Sequence, residues 1–291
     1  MNKLHLLNPA AGKGKAAQYL KKSDETDDTV YETQSSGDGE LFVYKTLISN
    51  PETHIYVYGG DGTVCEAVNG IMRAGAEKSA LLTIIPTGSG NDFIRNFKDR
   101  TGTFKVDLIK YNDRYAINMI NIGFDCNVVD NLDRFRKKPL VTGSGAYIMA
   151  VAYVLFRRMG EHFIITLTDK GGAETVYEGE FLLTAIANGQ FYGGGFRAAS
   201  LAVLDDGLLD VMVINKVSHL RFISLISDYQ KGRHMNPITG KPVDKFRDFI
   251  SYGKYRRVNI KNIKKVCVDG EVEYTDQLDI SVTEQAISVF V

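Results

Sequence analysis

The segment His54-Ile-Tyr-Val-Tyr-Gly-Gly-Asp-Gly-Thr63 joins a strand-like apolar run to a glycine-rich turn, and helical sequence follows the turn. The same order of strand, glycine turn and helix occurs twice more, at Lys3–Leu7 before Asn8-Pro-Ala-Ala-Gly-Lys-Gly-Lys15, and at Leu81–Ile85 before Pro86-Thr-Gly-Ser-Gly-Asn-Asp92. Strands that alternate with helices in this way form a parallel sheet covered by helices. The sequence therefore predicts an α/β domain over residues 1–110.

Residues 111–285 show a different pattern, in which apolar and polar residues alternate with a period of two. The alternating segments are Phe163–Thr168, Thr175–Ala187, Leu208–Ile214, Arg257–Ile263, Lys265–Val268 and Leu278–Val282. Such alternation is typical of antiparallel strands with one buried face. We therefore expect a mainly antiparallel, β-rich domain, interrupted by helices at Ser144–Met159 and Ser218–Lys231. The apolar run Ala286–Val291 is expected to return to the first domain as a buried strand.

The composition restricts the class of protein. The 291 residues contain 35 Lys plus Arg and 35 Asp plus Glu, and this balance argues against nucleic-acid binding. The longest apolar run, Ala146–Phe156, is shorter than the roughly 20 residues that span a bilayer. The N-terminus lacks the features of a secretory signal, and three widely spaced cysteines suit a reducing compartment. The sequence therefore predicts a cytoplasmic protein.

The three glycine turns predict a ligand site, because ligands of open α/β sheets bind at the carboxyl ends of the strands. Glycine lets the backbone approach a phosphate closely, and the helix that follows each turn adds unpaired N–H groups. The first turn also carries Lys13 and Lys15. Three such turns at one edge favour a nucleotide phosphate site over ordinary strand-end turns.

Asp61 lies inside the second turn, where a carboxylate would repel phosphate unless a divalent cation lay between them. Its position suggests Mg²⁺ that bridges to ATP oxygens, and capping of the helix near Thr63 is the alternative, compatible role. The turn matches neither G-x-G-x-x-G nor G-x-x-x-x-G-K-[ST], so the site belongs to another type of nucleotide-binding protein.

Six motifs, in the same order, resemble those of the diacylglycerol kinase catalytic-domain superfamily, which includes sphingosine kinases and bacterial lipid kinases. They are Asn8-Pro-Ala-Ala-Gly12, Gly59-Gly-Asp-Gly-Thr-Val-Cys-Glu66, Pro86-Thr-Gly-Ser-Gly-Asn-Asp-Phe93, Asn188-Gly-Gln-Phe-Tyr-Gly-Gly-Gly195, Asp205-Asp-Gly-Leu-Leu-Asp210 and Val268-Asp-Gly-Glu271. The resemblance covers essentially the whole chain. The G-G-D-G-T element alone is shared with NAD kinases, whereas the ordered set is specific.

The resemblance implies that ATP binds among the three turns. The implied nucleotide-binding residues are Asn8, Thr33, Gly59, Gly60, Asp61, Gly62, Thr63, Glu66, Thr87, Gly88, Ser89, Asn91 and Asp92. It also implies a structural Mg²⁺ held by the Val203 carbonyl, the Asp206 carboxylate and the Leu208 carbonyl. Oxygen ligands of this kind suit Mg²⁺, although Asp-Asp-Gly read by itself would equally predict a hairpin turn.

Read by itself, Asp269-Gly-Glu271 predicts a hairpin turn after an apolar strand. In the context of the family it supplies the general base that accepts the proton of a lipid hydroxyl. We assign this role to Glu271, with Asp269 in support. Sphingosine kinases are usually described with the Asp of the G-D-G turn as base, so Asp61 is the rival.

The expected function is transfer of the ATP γ-phosphoryl group to a lipid hydroxyl. Diacylglycerol is the first choice of acceptor, and phosphatidylglycerol, sphingoid bases or a polyprenol are alternatives. An NAD kinase, suggested by the shared G-G-D-G-T, and a nucleotide- or lipid-binding regulator without turnover are the rival functions.

The sequence contains three basic clusters, Arg134–Lys138, Arg157-Arg158 and Lys254–Lys265. The last of them predicts either an ordinary solvated face or attraction to an anionic membrane. A kinase whose substrate stays in a bilayer needs a docking surface, so we expect peripheral contact with the inner face of the membrane. The sequence leaves room for a homodimer.

Overall fold

A computed structural model describes residues 2–13, 28–136, 143–157 and 159–291. Its first part is a parallel sheet with strand order β2-β1-β3-β4. The strands are β1 (Asn2–Leu7), β2 (Thr29–Glu32), β3 (Thr53–Gly59) and β4 (Leu81–Pro86). Helices α1 (Asp38–Ser49) and α2 (Asp61–Ala74) connect them. The predicted Lys15 lies outside the described residues.

Helix α2 packs on this sheet because its apolar residues recur with helical spacing. Val64, Ala67, Val68 and Ile71 are all buried, and this spacing places them on one face of the helix. The helix ends at Gly75, whose left-handed backbone lets its N–H reach the carbonyl groups of the last turn. The G-G-D-G-T segment is thereby held rigidly at the start of a buried helix.

The second part is antiparallel. Its strands are β5 (Thr103–Tyr111), β6 (Arg114–Ala116), β7 (Met119–Gly123), β8 (Glu161–Thr168), β9 (Glu174–Ala187), β10 (Leu209–Asn215), β11 (Ile250–Tyr255), β12 (Arg257–Lys261), β13 (Val266–Val268), β14 (Glu271–Glu273) and β15 (Gln277–Phe290). The main path of hydrogen-bonded neighbours runs β14-β13-β7-β9-β8-β12-β15. The predicted fold class, a parallel α/β part followed by a mainly antiparallel part, is confirmed.

Four helices accompany these strands in the described part of the chain: α3 (Phe124–Arg136), α4 (Gly143–Leu155), α5 (His219–Gln230) and α6 (Asp244–Arg247). They share an apolar core with β7, β9 and β10 that includes Phe124, Val154, Phe222 and Phe246. Both predicted helical stretches are present, whereas α3 was not predicted. None of the described helices is long and apolar enough to cross a membrane.

Strand β15 joins the two parts. Its first residues pair with β12, whereas Ser288–Phe290 lie parallel to β4. A bulge near Gln285 separates two stretches in which β15 pairs with β5, and beyond it Ile287 and Val289 enter the core of the first sheet. The run 286–291 therefore lies beside the strands of the parallel sheet. The division into domains 1–110 and 111–285 stays a prediction.

Candidate active site

The three glycine turns meet at one edge of the parallel sheet. Asn8 donates from its side-chain amide to Thr63 Oγ1 over 3.1 Å, which links the first turn to the second. The backbone N–H groups of Thr87 and Gly88 both donate to the Gly59 carbonyl, which links the second turn to the third. The three turns are therefore neighbours in the structure, as the sequence predicts.

The close approach of the second and third turns requires glycine. A Cβ atom added at Gly88 would lie 2.4 Å from Gly60 Cα, a distance that side chains do not tolerate. Gly62, by contrast, is exposed in the first turn of α2. No side chain caps α2 among the described residues, so its N-terminus is suited to an anionic ligand.

The Asp61 carboxylate holds the third turn in place. Its two oxygens accept hydrogen bonds from the backbone N–H groups of Asp92 and Phe93, each over 3.0 Å. Asp61 is the first residue of α2 but does not cap it, because its bonds go to a different segment. The capping alternative is therefore wrong, and the carboxylate keeps lone pairs that could still face a cation.

Glu66 and Thr33 lie on the side of the site nearest α1. The Glu66 carboxylate accepts from the backbone N–H groups of Gly37 and Gly39, each over 2.9 Å, and so ties α2 to the N-terminus of α1. Thr33 is buried and donates its N–H to the Leu7 carbonyl. Both oxygens of Glu66 already have partners, which favours positioning of the α1 turn over direct contact with a nucleotide.

The third turn exposes Ser89 and holds Asn91 with a positive φ of 52°. Thr87 Oγ1 and Asn91 Oδ1 are buried, and neither has a hydrogen-bond partner among the described residues. Buried polar atoms are normally satisfied, so these two atoms fit a site completed by a polar ligand.

Asp92 connects the third turn to the β-rich part. It is buried, and its Oδ2 accepts from the Gly194 N–H over 2.8 Å, while Arg95 Nε lies 3.3 Å from its Oδ1. Burial raises the pKa of the Asp92 carboxyl. The motif Asn188–Gly195 therefore contacts the third glycine turn through its backbone.

The Asp269-Gly-Glu271 turn reaches the same edge from the other side. The Asp269 carboxylate accepts from the backbone N–H groups of Ile117, Asn118 and Met119 over 2.7–3.0 Å. Burial raises the pKa of Asp269 to about 6, although these three hydrogen bonds oppose the change. Asp269 thus anchors the turn from inside the protein.

Glu271 is exposed, and its carboxylate projects over the start of α2. A Cβ atom added at Gly62 would lie 3.7 Å from Glu271 Oε1. The charge of Asp61 contributes to the raised pKa of Asp269. The structure therefore brings the three predicted catalytic residues together. Among the described hydrogen bonds, backbone amides donate to the carboxylates of Asp61 and Asp269 but not to that of Glu271.

The predicted metal ligands occupy a separate loop, where Val203 is 43% exposed. Asp206 Oδ1 accepts from the Leu208 N–H over 3.1 Å, and its Oδ2 lies 2.6 Å from Lys254 Nζ. Lys254 also contacts Asp210 over 3.0 Å. No cluster of three acidic, His or Cys metal ligands occurs among the described residues.

The surroundings of this loop nevertheless fit a cation. Asp107 is buried in β5, and burial followed by the nearby charges of Asp206 and Asp205 raises its pKa. Both oxygens of the Asp107 carboxylate accept backbone N–H groups, from Gly207 and Gln285, so Asp206 and the backbone carbonyls are the predicted oxygen donors that remain for Mg²⁺. A bound ion would compete with Lys254 for the Asp206 carboxylate. Sequence patterns did not predict that Lys254 and Asp107 lie beside this loop.

An apolar cavity of about 30 Å³ lies under α5. Its lining includes Leu183, Ile226 and Phe246, and Asp125 is the one charged residue among the described residues that line it. The Tyr192 hydroxyl donates to Asp125, and burial raises the pKa of Asp125 to about 6. Sequence patterns did not predict this cavity, because its walls come from four separate segments of the chain.

Two family models match the chain in succession. The diacylglycerol kinase catalytic domain matches residues 3–121, and the YegS C-terminal NAD kinase beta sandwich-like domain matches residues 118–291. Proteins of Staphylococcus aureus strains MSSA476 and MW2, each named "Putative lipid kinase", are 27% identical over 247 residues, which is 81% of this chain and 76% of theirs.

A crystal structure described as a diacylglycerol kinase from Bacillus anthracis strain Sterne has a TM-score of 0.72 and 26% identity, over 99% of this chain and 96% of that chain. The chain belongs to the diacylglycerol kinase catalytic-domain superfamily. The predicted membership is confirmed.

Proposed function

We propose that this protein transfers the γ-phosphoryl group of ATP to a lipid hydroxyl, with diacylglycerol as the acceptor and phosphatidic acid as the product. The observation that carries the proposal is the position of Glu271, which reaches the uncapped N-terminus of α2 from the β-rich part. A carboxylate at this point faces the place where helix geometry favours a phosphate.

The nucleotide would bind along the three turns. The start of α2 would donate backbone N–H groups to phosphate oxygens, and Thr87 and Asn91 would use their unpaired oxygens for polar groups of the nucleotide or its waters. Asp61 would hold a Mg²⁺ ion that neutralises phosphate charge when bound. Asp206 would hold a second Mg²⁺ ion that stabilises its own loop. Membership of a kinase family supports the use of ATP.

Glu271 would act as the general base. It accepts the hydroxyl proton as the bond between the lipid oxygen and the γ-phosphorus forms, and the bond to the β,γ-bridging oxygen breaks to release ADP. Asp61 is less suited to this role, because both of its oxygens already accept backbone hydrogen bonds. Asp269 would position Glu271 by holding the turn on β7.

The acceptor lipid would place an acyl chain in the cavity under α5, whose lining is almost entirely apolar. The cavity of about 30 Å³ is too small for a whole chain, so α5 would have to shift outward. This proposal places the protein at the cytoplasmic face of a membrane as a peripheral enzyme.

The proposal is tested by incubating the protein with radiolabelled ATP, Mg²⁺ and either mixed lipids or NAD, and by resolving the products by chromatography. We expect label in phosphatidic acid. Label in another lipid would correct the acceptor, label in NADP would establish the NAD kinase alternative, and no transfer at all would favour a binding protein without turnover.

A further inference from the structure

The ends of α4 and α5 expose large apolar side chains side by side with basic ones. Phe156 follows α4 and is 88% exposed, while Leu220 and Ile223 on α5 are 82% and 55% exposed. Leu220 and Ile223 are three residues apart, so they lie on the same face of the helix. Exposed apolar residues scattered singly are ordinary, but a group of them indicates a contact surface.

A groove of about 450 Å³ lies between these two helix ends. It is lined by Arg157, Met159, Lys216, Val217, Ser218 and His219. Phe156 adjoins Arg157 and Leu220 adjoins His219 in the chain, so the exposed apolar residues border the groove on both sides.

The charge of the groove favours an anionic partner. Its described lining contains three basic residues and no acidic one. Lys216 is partly neutralised, because its Nζ lies 2.7 Å from Glu180. Arg157 is exposed and stacks over the Tyr153 ring at 4.5 Å, which directs its charge without neutralising it.

Of the basic clusters that the sequence singles out, Lys137, Lys138 and Arg158 lie outside the described residues. The cluster Lys254–Lys265 is less suited to this task than the groove. Four of its residues are paired within the chain: Lys254 with Asp206, Arg256 with Glu284, Arg257 with Asp279 and Lys265 with Asp130. Charges already matched inside the protein attract a membrane weakly. Of the cluster, only Lys261 and Lys264 are exposed without a described ion pair.

We propose that this α4–α5 surface, formed by Phe156, Arg157, His219, Leu220 and Ile223, docks on an anionic lipid bilayer, with its groove taking a phospholipid headgroup. Aromatic and aliphatic side chains enter the interface while basic residues meet lipid phosphates. The inner face of α5 lines the apolar cavity, so the surface would deliver a bilayer lipid to that cavity. The choice of a bilayer as the partner rests on the proposed lipid kinase function. Binding of the protein to the bilayer requires no turnover.

The test is sedimentation with vesicles of phosphatidylcholine, either alone or mixed with phosphatidylglycerol. The wild-type protein should bind the mixed vesicles, and binding should weaken as salt is raised. The double variant Phe156→Ser/Leu220→Ser should lose at least tenfold in partition, and Arg157→Ala should lose most of the preference for anionic lipid. Wild-type binding that ignores lipid charge would overturn the proposal.

Matched controls lie on α1, in the other part of the molecule. Ile48 is 60% exposed, close to the exposure of Ile223, and Lys45 is exposed one turn before it. Ile48→Ser/Lys45→Ala should bind like wild type. If Phe156→Ser/Leu220→Ser binds normally while Lys261→Ala/Lys264→Ala does not, the docking surface is the Lys254–Lys265 cluster and the proposal is wrong.

Two further measurements separate this surface from the proposed reaction. Glu271→Gln should bind vesicles like wild type, because binding needs no base. Phe156→Ser/Leu220→Ser should phosphorylate a dispersed short-chain diacylglycerol at the wild-type rate and lose activity only on vesicles. Wild-type vesicle binding without any lipid phosphorylation would support the surface and contradict the proposed function instead.

Discussion

Glu271 and Asp61 are both carboxylates at the same site, and their hydrogen bonds give them different roles. Asp61 is held by the amides of Asp92 and Phe93, whereas Glu271 is exposed and faces the start of α2. A residue that is already a hydrogen-bond acceptor for two structural amides is a poor choice for receiving a substrate proton. The contrast makes a kinetic prediction for each residue.

Glu271→Gln should lower kcat by about 10²–10⁴-fold, the usual contribution of a positioned general base. The KM for ATP should change little, since the nucleotide is held by the other part. Asp61→Asn should instead raise the KM for ATP, because the third turn loses its anchor, and it should weaken the binding of Mg²⁺. Steady-state kinetics on both variants decide the matter. If Glu271→Gln keeps its kcat while Asp61→Asn loses it at unchanged ATP affinity, Asp61 is the base.

Asp125 predicts a pH dependence of stability. Its folded-state pKa of about 6 lies above the ordinary value for Asp, so the fold favours the protonated form. The contribution of Asp125 to the free energy of unfolding is therefore fully present below about pH 4. It falls by about 1.4 kcal/mol per pH unit as the pH rises to about 6. Asp125→Asn should flatten this fall, measured by urea unfolding at pH 4–7. An unchanged slope would show that Asp125 does not titrate in this range. Asp269 acts in the same direction, so some slope should remain.

At the scale of elements, the strand–turn–helix junctions were predictable and α3 was not. Each junction combines an apolar run with glycines, two signals that local sequence carries. Helix α3 (Phe124–Arg136) buries Phe124, Val128 and Phe135 among three polar-rich turns, and this sparse pattern is hard to distinguish from a loop. Its helical state depends on packing against β7 and β9, which no local pattern records.

The ion pairs of the Lys254–Lys265 cluster could not be predicted from the local sequence either. Lys254, for example, meets acids more than forty residues earlier in the chain. Charge spacing along the sequence indicated a basic surface, whereas strand pairing decides which charges face an acid. The predicted nucleotide residues, by contrast, were found together because the edge of a parallel sheet collects its turns.

The link between α1 and α2 makes a prediction at this scale. Glu66→Ala would leave the amides of Gly37 and Gly39 without their charged acceptor, and we expect a loss of about 1–3 kcal/mol in stability. The KM for ATP should rise because the turn before α1 lines the site. Chemical unfolding and ATP kinetics measure the two effects. Glu52→Ala, at an exposed position before β3, is the control and should change neither. A variant at Glu66 as stable as this control would contradict the assigned role.

At the scale of the whole molecule, one strand links the two parts, because β15 pairs with β4 of the parallel part and with β12 of the antiparallel part. Ile287 and Val289, far along the chain, are buried with Leu82 and Val106 in the first core. Stability of the parallel part is thus tied to residues at the end of the chain, where the sequence predicts a strand that returns to the first domain. The sequence predicted two separate strands here, at Leu278–Val282 and at 286–291, whereas the structure joins them in the single strand β15 with two different neighbours.

Ile287→Ala should therefore destabilise the nucleotide-binding part, by about 2–5 kcal/mol for a buried Ile→Ala change. Thermal unfolding and ATP binding should both report the loss. Val176→Ala, on the exposed face of β9, is the comparison and should leave both nearly unchanged. Weakened lipid binding with intact ATP binding in Ile287→Ala would show that the end of β15 serves only the β-rich part.

On the ribosome, β4 is translated long before β15, its neighbour in the sheet, and more than half of the chain emerges between them. During that interval β4 presents an open edge, and open strand edges pair readily with other chains. Domains usually fold in the order in which they are made, but here the first sheet must wait for a late strand. The nascent protein is therefore expected to need a chaperone over this period, because the parallel sheet cannot be completed before the antiparallel part has been synthesised.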